Sequence, residues 1–272
     1  HYLDITGEIA VFEACKARDG EARRRGVVVL PGVGFDVVPS DCLARALFEA
    51  LPGGVRLEMA FMALGSMSRG TLKTMIEHLG EGAQVRRRGE IQTVPAGSLV
   101  RTIELGGKPR QAMAIGWGDV STAQHSTGIG DITVFMVLPP GQQRALRLLA
   151  RLGPLLRSKA VIRGLQAIVG RLVTGPGEAV RESAHAELWA QVTAVDGSAV
   201  EGRMRTPEGY KTTVSTALAC VRRVLADGAE AGYQTPSSAF GAGLVRTLSG
   251  FEIEVGPVRP PGRAAGQASA ME

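Results

Sequence analysis

The chain has 272 residues, with 31 Lys and Arg against 26 Asp and Glu, and therefore a net charge of +5. Hydrophobic residues make up 44% and charged residues 21% of it, which is typical of a folded globular protein and excludes a disordered or fibrous one. No apolar run reaches the ~20 residues of a membrane span, and no basic run is interleaved with aromatic residues, so we expect no nucleic-acid partner. The three cysteines form no CxxC pair and the four histidines are far apart, which predicts reduced thiols, a cytoplasmic location and no metal site.

Residues 1–51 have the pattern of one part of a parallel α/β domain. HYLDI at 1–5 is typical of a strand end, the turn Thr6-Gly7-Glu8 follows it, and apolar residues three apart predict a helix over 9–17. The four apolar residues Val27 to Leu30 show no polar alternation, and they predict a short strand that is buried on both faces.

The loop after this strand is the first candidate for function. It carries Gly32 and Gly34, and Ser40 is placed to cap a helix on which leucines recur at helical spacing. In open α/β sheets, ligands bind beyond the carboxyl ends of the strands, where this loop is expected. Asp36 within it either orients a ligand or caps a turn through its own backbone.

The sequence of residues 52–256 predicts a second domain. The break Pro52-Gly53-Gly54 precedes VRLEMAF, whose alternation predicts a half-buried strand, and Asp196-Gly197 lies between two alternating runs as in a hairpin. The other expected elements are strands at 84–94, 99–105, 111–120 and 131–138, a turn at 106–108, and helices at 69–79, 139–152, 155–173 and 212–226. We expect the tail, 257–272, to be disordered.

Two of these helices have a distinct apolar face. On helix 212–226 one apolar stripe is expected to face the core, formed by Val214, Leu218, Val221 and Leu225. Helix 155–173 mixes Arg and Lys with a wide apolar face. It packs within the protein or on a dimer partner, or it lies on an anionic lipid surface.

The densest polar segment in an otherwise apolar stretch is GDVSTAQHSTGIGD, residues 118–131. We expect a loop between two strands here, and loops carry function more often than the strands they connect. Asp119 and His125 are its candidates for chemistry, although a lone histidine in a loop is also typical of a plain surface residue. If the second unit closes over the first, this segment and the loop around Asp36 face each other across one cleft.

Five blocks of the sequence, taken in order, resemble the saccharopine dehydrogenase-like oxidoreductases, a family that includes trans-acting enoyl reductases. The blocks are HYLDITGE at 1–8, PGVGFDVVPSD at 31–41, WGDVSTAQHSTGI at 117–129, RTPEGYKTT at 205–213 and GYQTPSSAFG at 232–241. The resemblance implies a Rossmann domain that binds NAD or NADP, and a second domain that helps to hold a small-molecule, acyl or lipid-derived substrate. It places two segments at the edge of the cofactor, Thr6-Gly7-Glu8 and Gly34-Phe35-Asp36.

The chain departs from that family in one respect. The dinucleotide fingerprint GxGxxG is absent from it, and it opens at His1 in a strand end. We therefore expect an N-terminally truncated form that lacks the first half of its nucleotide domain, and with it the residue that distinguishes NAD from NADP.

The sequence thus predicts an α/β protein in three parts. These are the remnant of an NAD(P)-binding Rossmann domain at 1–51, an α+β domain with a mixed, largely antiparallel sheet at 52–256, and the tail at 257–272. The expected activity is NAD(P)-dependent oxidoreduction by a homodimer, with Asp119 and His125 as catalytic candidates. The alternative is a non-catalytic scaffolding or lipid-surface protein with the same fold, peripheral to a membrane through 155–173.

Overall fold

A computed structural model describes residues 1–63, 82–139, 184–226 and 228–261, with a few further positions between 141 and 167. Two β-sheets organise this part of the chain. The smaller sheet has three parallel strands in the order β1 (Tyr2–Leu3), β2 (Val28–Leu30) and β11 (Gly232–Tyr233). The two strands predicted within 1–51 are therefore confirmed.

Three helices flank these first strands. The expected helix α1 (Ile9–Lys16) is confirmed, and α2 (Asp19–Arg24) occupies a charged stretch for which the sequence predicts none. Helix α3 (Val38–Ala50) begins two residues before Ser40, so the prediction that Ser40 caps it is wrong. Pro39 is tolerated in the first turn because its missing amide would have no helical partner there.

The larger sheet has nine strands among the described residues, and it is mixed and largely antiparallel, as expected. Its members are β3 (Gly54–Ala63), β4 (Ala83–Arg87), β5 (Glu90–Val94), β6 (Val100–Leu105), β7 (Lys108–Ile115), β8 (Asp131–Val137), β9 (His185–Ala194), β10 (Ala199–Pro207) and β12 (Glu252–Val255). The strand order along the main path is β12-β10-β9-β3-β8-β4-β5. Strands β6 and β7 form a hairpin that joins the sheet because β7 also pairs with β8. β3 and β8 are parallel to each other.

The predicted turns are observed at the expected glycine residues. Gly106 and Gly107, both with positive φ, connect β6 to β7, and the hairpin at Asp196-Gly197 connects β9 to β10. The segment 84–94, expected as one strand, is instead the hairpin β4–β5, because Arg88 and Gly89 both take positive φ and turn the chain.

Helix α3 connects the two sheets. Its residues Leu43 and Leu47 are fully buried and pack on β9 and β10. A Cβ on Gly202 of β10 would lie 2.9 Å from Leu47 Cδ2 and 3.1 Å from Leu43 Cδ1. Glycine at this position therefore lets the helix approach the sheet closely.

Helix α5 (Gly209–Ala226) turns the opposite face inward from the one predicted. The predicted core residues Val214, Leu218, Val221 and Leu225 are 60%, 50%, 38% and 76% exposed, and the buried ones are Thr212, Thr216, Cys220 and Val224. The threonine face meets the loop after β2: Thr216 Oγ1 donates to Val33 O at 2.8 Å, and Thr213 Oγ1 accepts from Phe35 N at 3.1 Å. Hydroxyls on this face satisfy buried backbone groups that aliphatic side chains would leave without partners.

The C-terminal part of the chain returns to the small sheet. β11 pairs with β2, and α6 (Pro236–Phe240) and the 3₁₀ helix Ala242–Thr247 pack on α3, so the two units do not divide simply at residue 51. The tail also differs from expectation in its first residues, because Arg259 exchanges two backbone hydrogen bonds with Ala199, of 2.7 and 3.0 Å.

Three expected helices and the end of the tail cannot be compared with the structure. The helix at 69–79, most of the helices at 139–152 and 155–173, and residues 262–272 lie outside the described residues. Within the described ranges, no helix is long and apolar enough to cross a membrane.

Candidate active site

The site forms at the carboxyl ends of the parallel strands β1 and β2. Asp4, directly after β1, fixes the loop after β2 because its carbonyl oxygen accepts from Val33 N at 2.8 Å and its Oδ1 accepts from Gly32 N at 3.0 Å. The same Oδ1 accepts from Thr6 N at 3.0 Å and so shapes the turn that follows. One aspartate therefore holds both predicted cofactor segments side by side.

A third segment, directly before helix α4 (Asp119–Thr127), completes the site. Trp117 Nε1 donates to Asp36 O at 2.8 Å. A Cβ on Gly7 would lie 2.6 Å from Asp36 Oδ2, and one on Gly118 would lie 3.3 Å from Gly7 O. The structure thus brings together the turn around Gly7, the loop around Asp36 and the start of the segment 118–131.

The carboxyl group of Asp36 is half-buried at this junction, and no described group donates a hydrogen bond to it. Burial alone raises its pKa from 3.8 to about 6. An acid that changes protonation between pH 5 and 7 and lies in a crevice is typical of a functional site.

A narrow cleft whose cavity volume is only about 10 Å³ lies beside these segments. Its aromatic wall includes Phe61, whose ring centroid lies 4.6 Å from that of Trp117 and 6.5 Å from that of Phe35. Its polar groups are Ser40 and Asp119, and the other lining residues are Leu43, Met59, Ala60, Val134, Leu188 and Trp189. The lining contains no Lys, Arg or His among the described residues.

The segment 118–131, predicted as a loop, is largely the buried helix α4. Its hydroxyl groups bond to carbonyls of the preceding turn: Thr127 Oγ1 donates to Ala123 O at 2.5 Å, and Ser126 Oγ lies 3.3 Å from Thr122 O. Small polar side chains that are satisfied within their own helix can pack tightly, so high polarity here does not indicate a loop. Gly128 ends the helix in the left-handed conformation.

Asp119 is fully buried in the first turn of α4. Its Oδ2 lies 2.9 Å from Ser40 Oγ, which also lies 3.0 Å from Val37 O, while its Oδ1 has no described partner. Burial raises the pKa of Asp119 well above its usual range, the bond with Ser40 opposes this, and the carboxyls of Asp41 and Asp36 add to the rise. Burial therefore favours the neutral form of the Asp119 carboxyl group.

His125, the other catalytic candidate, is not brought to the cleft. Its ring meets Tyr233 edge-on, with the centroids 4.8 Å apart. Burial lowers the pKa of His125, and the charge of Lys16 lowers it further. This geometry does not support proton donation to a ligand in the cleft.

The cofactor candidates lie close together at the junction. Thr6 Oγ1 accepts from Glu8 N at 3.2 Å, and the exposed Glu8 precedes α1. Gly34 is buried, and a Cβ there would lie 3.1 Å from Thr213. Phe35 lines the cleft beside Asp36.

Sequence reasoning misses three contributors to this site. Ser40 is interpreted as a helix cap, Trp117 is named only within a longer block, and Phe61 is interpreted as a core residue of its strand. The tryptophan carries the one available signal, because it directly precedes Gly118 and Asp119. The aromatic wall depends on β3 and on the loop after β2 meeting in space, which no local pattern shows.

No family model and no curated protein matches the chain. Among solved structures, it is similar to an apo, histidine-tagged saccharopine dehydrogenase (L-Glu forming) from Saccharomyces cerevisiae. The TM-score is 0.51 at 11% identity, over 88% of this chain and 76% of the other. The protein thus has an α/β fold with a large mixed sheet, similar to that of a saccharopine dehydrogenase.

Proposed function

We propose that the protein is an NAD(P)-dependent oxidoreductase of the saccharopine dehydrogenase-like family that acts on an enoyl or other acyl or lipid-derived substrate. The observation that carries the proposal is the meeting of Gly7, Asp36 and Asp119 beside an apolar cleft, at the carboxyl ends of parallel strands. The fold of the similar dehydrogenase supports the same reaction class.

The residues present suit one end of a nicotinamide cofactor. Gly7 and Gly34 carry no Cβ, which lets Asp36 and Thr213 pack closely against the two loops that a nicotinamide would border. The glycine-rich turn that binds a pyrophosphate is absent from the 272-residue sequence, so these residues account for the nicotinamide end alone.

The lining of the cleft favours an uncharged substrate. A bound dicarboxylic amino acid would lose the hydration of its carboxylates, and the described lining has no cation to compensate. The aromatic and aliphatic walls instead match an acyl chain or a planar conjugated group in chemistry, and the cleft has to widen to admit either one. An enoyl or related acyl substrate is therefore favoured over saccharopine-like amino acids.

A bound nicotinamide cofactor supplies or accepts hydride. Ser40 donates to Asp119 Oδ2, and the acidic proton of Asp119 then resides on Oδ1, the oxygen without a described partner. From there Asp119 donates a hydrogen bond to a substrate oxygen and polarises it. Asp36, with a pKa of about 6, exchanges protons at the mouth of the site.

The test uses the longest natural polypeptide that contains these 272 residues. Oxidation of NADH and NADPH is followed with an α,β-unsaturated acyl thioester and, separately, with a dicarboxylic amino acid. We expect turnover with the thioester, and we expect Asp119→Ala to lower it by more than roughly tenfold with little change in melting temperature. Ser215→Ala, on α5 but outside the lining of the cleft, is the control.

Two results would contradict the proposal. A large loss of melting temperature with unchanged turnover in Asp119→Ala would make Asp119 structural. Failure of the longer polypeptide to bind either dinucleotide would favour the non-catalytic scaffold. The homodimer and the lipid contact through 155–173 remain predictions.

A further inference from the structure

The cleft beside Asp119 is too small for a substrate until part of its wall moves. Its cavity volume of about 10 Å³ is close to the space that a single water molecule needs. An acyl group therefore reaches the carboxyl group of Asp119 only after a lining side chain is displaced. The lining residues differ in burial and in the contacts that hold them, and these differences identify that side chain.

The three aromatic rings form the outer end of the cleft. Phe35 and Trp117 are partly exposed and Phe61 is 8% exposed, whereas the other lining residues of the described part are at most 5% exposed. Asp119 is fully buried and belongs to the inner end. Because exposure falls from the rings to Asp119, a ligand that comes from solvent passes the rings first.

Two of the rings are held by the loops around the small sheet and by α5. The indole of Trp117 donates from Nε1 to Asp36 O at 2.8 Å, and rotation of this ring would break that hydrogen bond. Phe35 N donates to Thr213 Oγ1 at 3.1 Å. The ring of Phe35 lies against Gly209, where a Cβ would be 3.6 Å from its Cδ1.

Phe61 is the middle ring of the three and belongs to the large sheet. Its ring centroid lies 4.6 Å from that of Trp117 and 6.5 Å from that of Phe35, which it meets edge-on. It pairs with its neighbours in the sheet, Met136 and Leu188, through the backbone, so its side chain can rotate without the loss of a sheet hydrogen bond. Displacement of this one ring opens the space between the other two.

We propose that Phe61 determines which acyl groups enter the cleft, because its ring fills the space between Phe35 and Trp117 through which they have to pass. This inference rests on the proposed function, and it adds chain length as the property of the substrate that the site selects. A phenyl ring in that space restricts the site to short acyl groups. A smaller side chain at the same position admits longer ones.

Phe135 supplies a matched control. It is 3% exposed and lies on β8, the strand that pairs with β3. Its partner in the register is Ala60, so its ring lies on the opposite face of the sheet from Phe61, in a separate apolar cluster. It does not line the cleft. Phe135→Ala therefore removes the same ring from a similarly buried position and reproduces the loss of packing without widening the cleft.

The first test measures binding without a cofactor, on the longest natural polypeptide that contains these 272 residues. It is titrated with the saturated decanoyl thioester of N-acetylcysteamine, and the indole N–H signal of Trp117, assigned with Trp117→Phe, is followed by ¹H–¹⁵N NMR. We expect the ligand to shift this signal, and Phe61→Ala to lower the dissociation constant by about tenfold.

Two further variants complete the binding test. Phe61→Leu removes less volume and should change the dissociation constant in the same direction, so it serves if Phe61→Ala does not fold. Phe135→Ala should bind as the wild type does. An unchanged dissociation constant in the folded Phe61 variants, or binding that leaves the Trp117 signal in place, would overturn the inference.

The second test compares the turnover of crotonyl and decenoyl thioesters with NADH and NADPH. We expect Phe61→Ala to raise the kcat/KM for decenoyl relative to crotonyl by about tenfold or more, and Phe135→Ala to leave this ratio unchanged. Because both substrates are measured on the same protein, a smaller folded fraction does not alter the ratio. An unchanged ratio in an active Phe61 variant would overturn the inference and leave the proposed function standing. The expected change in binding without turnover in any of the proteins would overturn the proposed function and leave the role of Phe61 in place.

Discussion

Asp36 gives the sharpest test of how the site is built. Its carboxyl group is half-buried with no hydrogen-bond donor among the described residues, so the folded protein resists its ionisation. The rise in pKa from 3.8 to about 6 corresponds to about 3 kcal/mol, at 1.36 kcal/mol for each tenfold change in proton affinity. The folded state binds this proton more tightly than the unfolded state does. Stability is therefore fully present below pH ~4, falls as the pH rises to about 6, and is level above that.

Asp36→Asn removes this penalty, and we expect it to stabilise the 272-residue chain at pH 7 by up to about 3 kcal/mol. With a urea dependence of roughly 3 kcal/mol/M, the unfolding midpoint should rise by about 1 M. The advantage should fade as the pH falls to ~4, where both forms are neutral. Urea titrations of both proteins at several pH values between 4 and 8 measure it.

Asp196 supplies a control of opposite sign. This exposed hairpin residue accepts from Ser198 N at 2.9 Å and Ser198 Oγ at 2.6 Å, and the hydroxyl bond is the main cause of its lowered pKa. Asp196→Asn should therefore destabilise the chain at pH 7, and the loss should diminish in acid. If Asp36→Asn is no more stable than the wild type at pH 7, or if its advantage persists undiminished at pH 4, the account of Asp36 is wrong.

Two further predictions follow from the same structure. Titration calorimetry of the 272-residue chain with NADPH should detect no micromolar binding, because the pyrophosphate turn is not in its sequence. Micromolar affinity would contradict the site assignment. On α5, Leu218→Ser should change the free energy of unfolding by no more than about 0.5 kcal/mol, because Leu218 is 50% exposed. Val224 is only 5% exposed, so Val224→Ala should lower the free energy of unfolding by roughly 1–3 kcal/mol. Equal costs in urea unfolding would mean that the predicted apolar face, not the threonine face, is the buried one.

The elements that the sequence predicts correctly are those whose signal is local. Four apolar residues at 27–30 identify a strand buried on both faces, and Asp196-Gly197 and Gly106-Gly107 identify hairpins because few residues adopt the backbone of such turns. The meeting of the loop around Asp36 with the segment from Gly118 onward could also be anticipated. Both segments are polar, and the first follows a parallel strand.

The sequence predictions fail where a contact between residues far apart in sequence determines the structure. The stripe of α5 is a valid helix signal, but its inward face is chosen by the loop after β2, which needs the hydroxyls of Thr213 and Thr216. Likewise, the sequence of α4 predicts a loop because the helix is buried against α3, which is far away in sequence. The return of β11 to pair with β2 joins residues about 200 positions apart, and neither strand carries a mark of the other.

The charges around the site bear on whether its ligand is charged or uncharged. Burial raises the pKa of Asp36, Asp41 and Asp119, the charges of Asp41 and Asp36 add to the rise at Asp119, and in the described part no cation pairs with any of the three. A site built for a carboxylate would need the reverse, a buried cation, and the nearby guanidinium of Arg86 is already committed to Glu13 and the carbonyl of Val120. The neutral form of Asp119 donates a hydrogen bond without presenting a charge, which under the proposed function suits an uncharged carbonyl in the cleft. The penalty for keeping these acids buried is therefore consistent with a site arranged for chemistry rather than for stability.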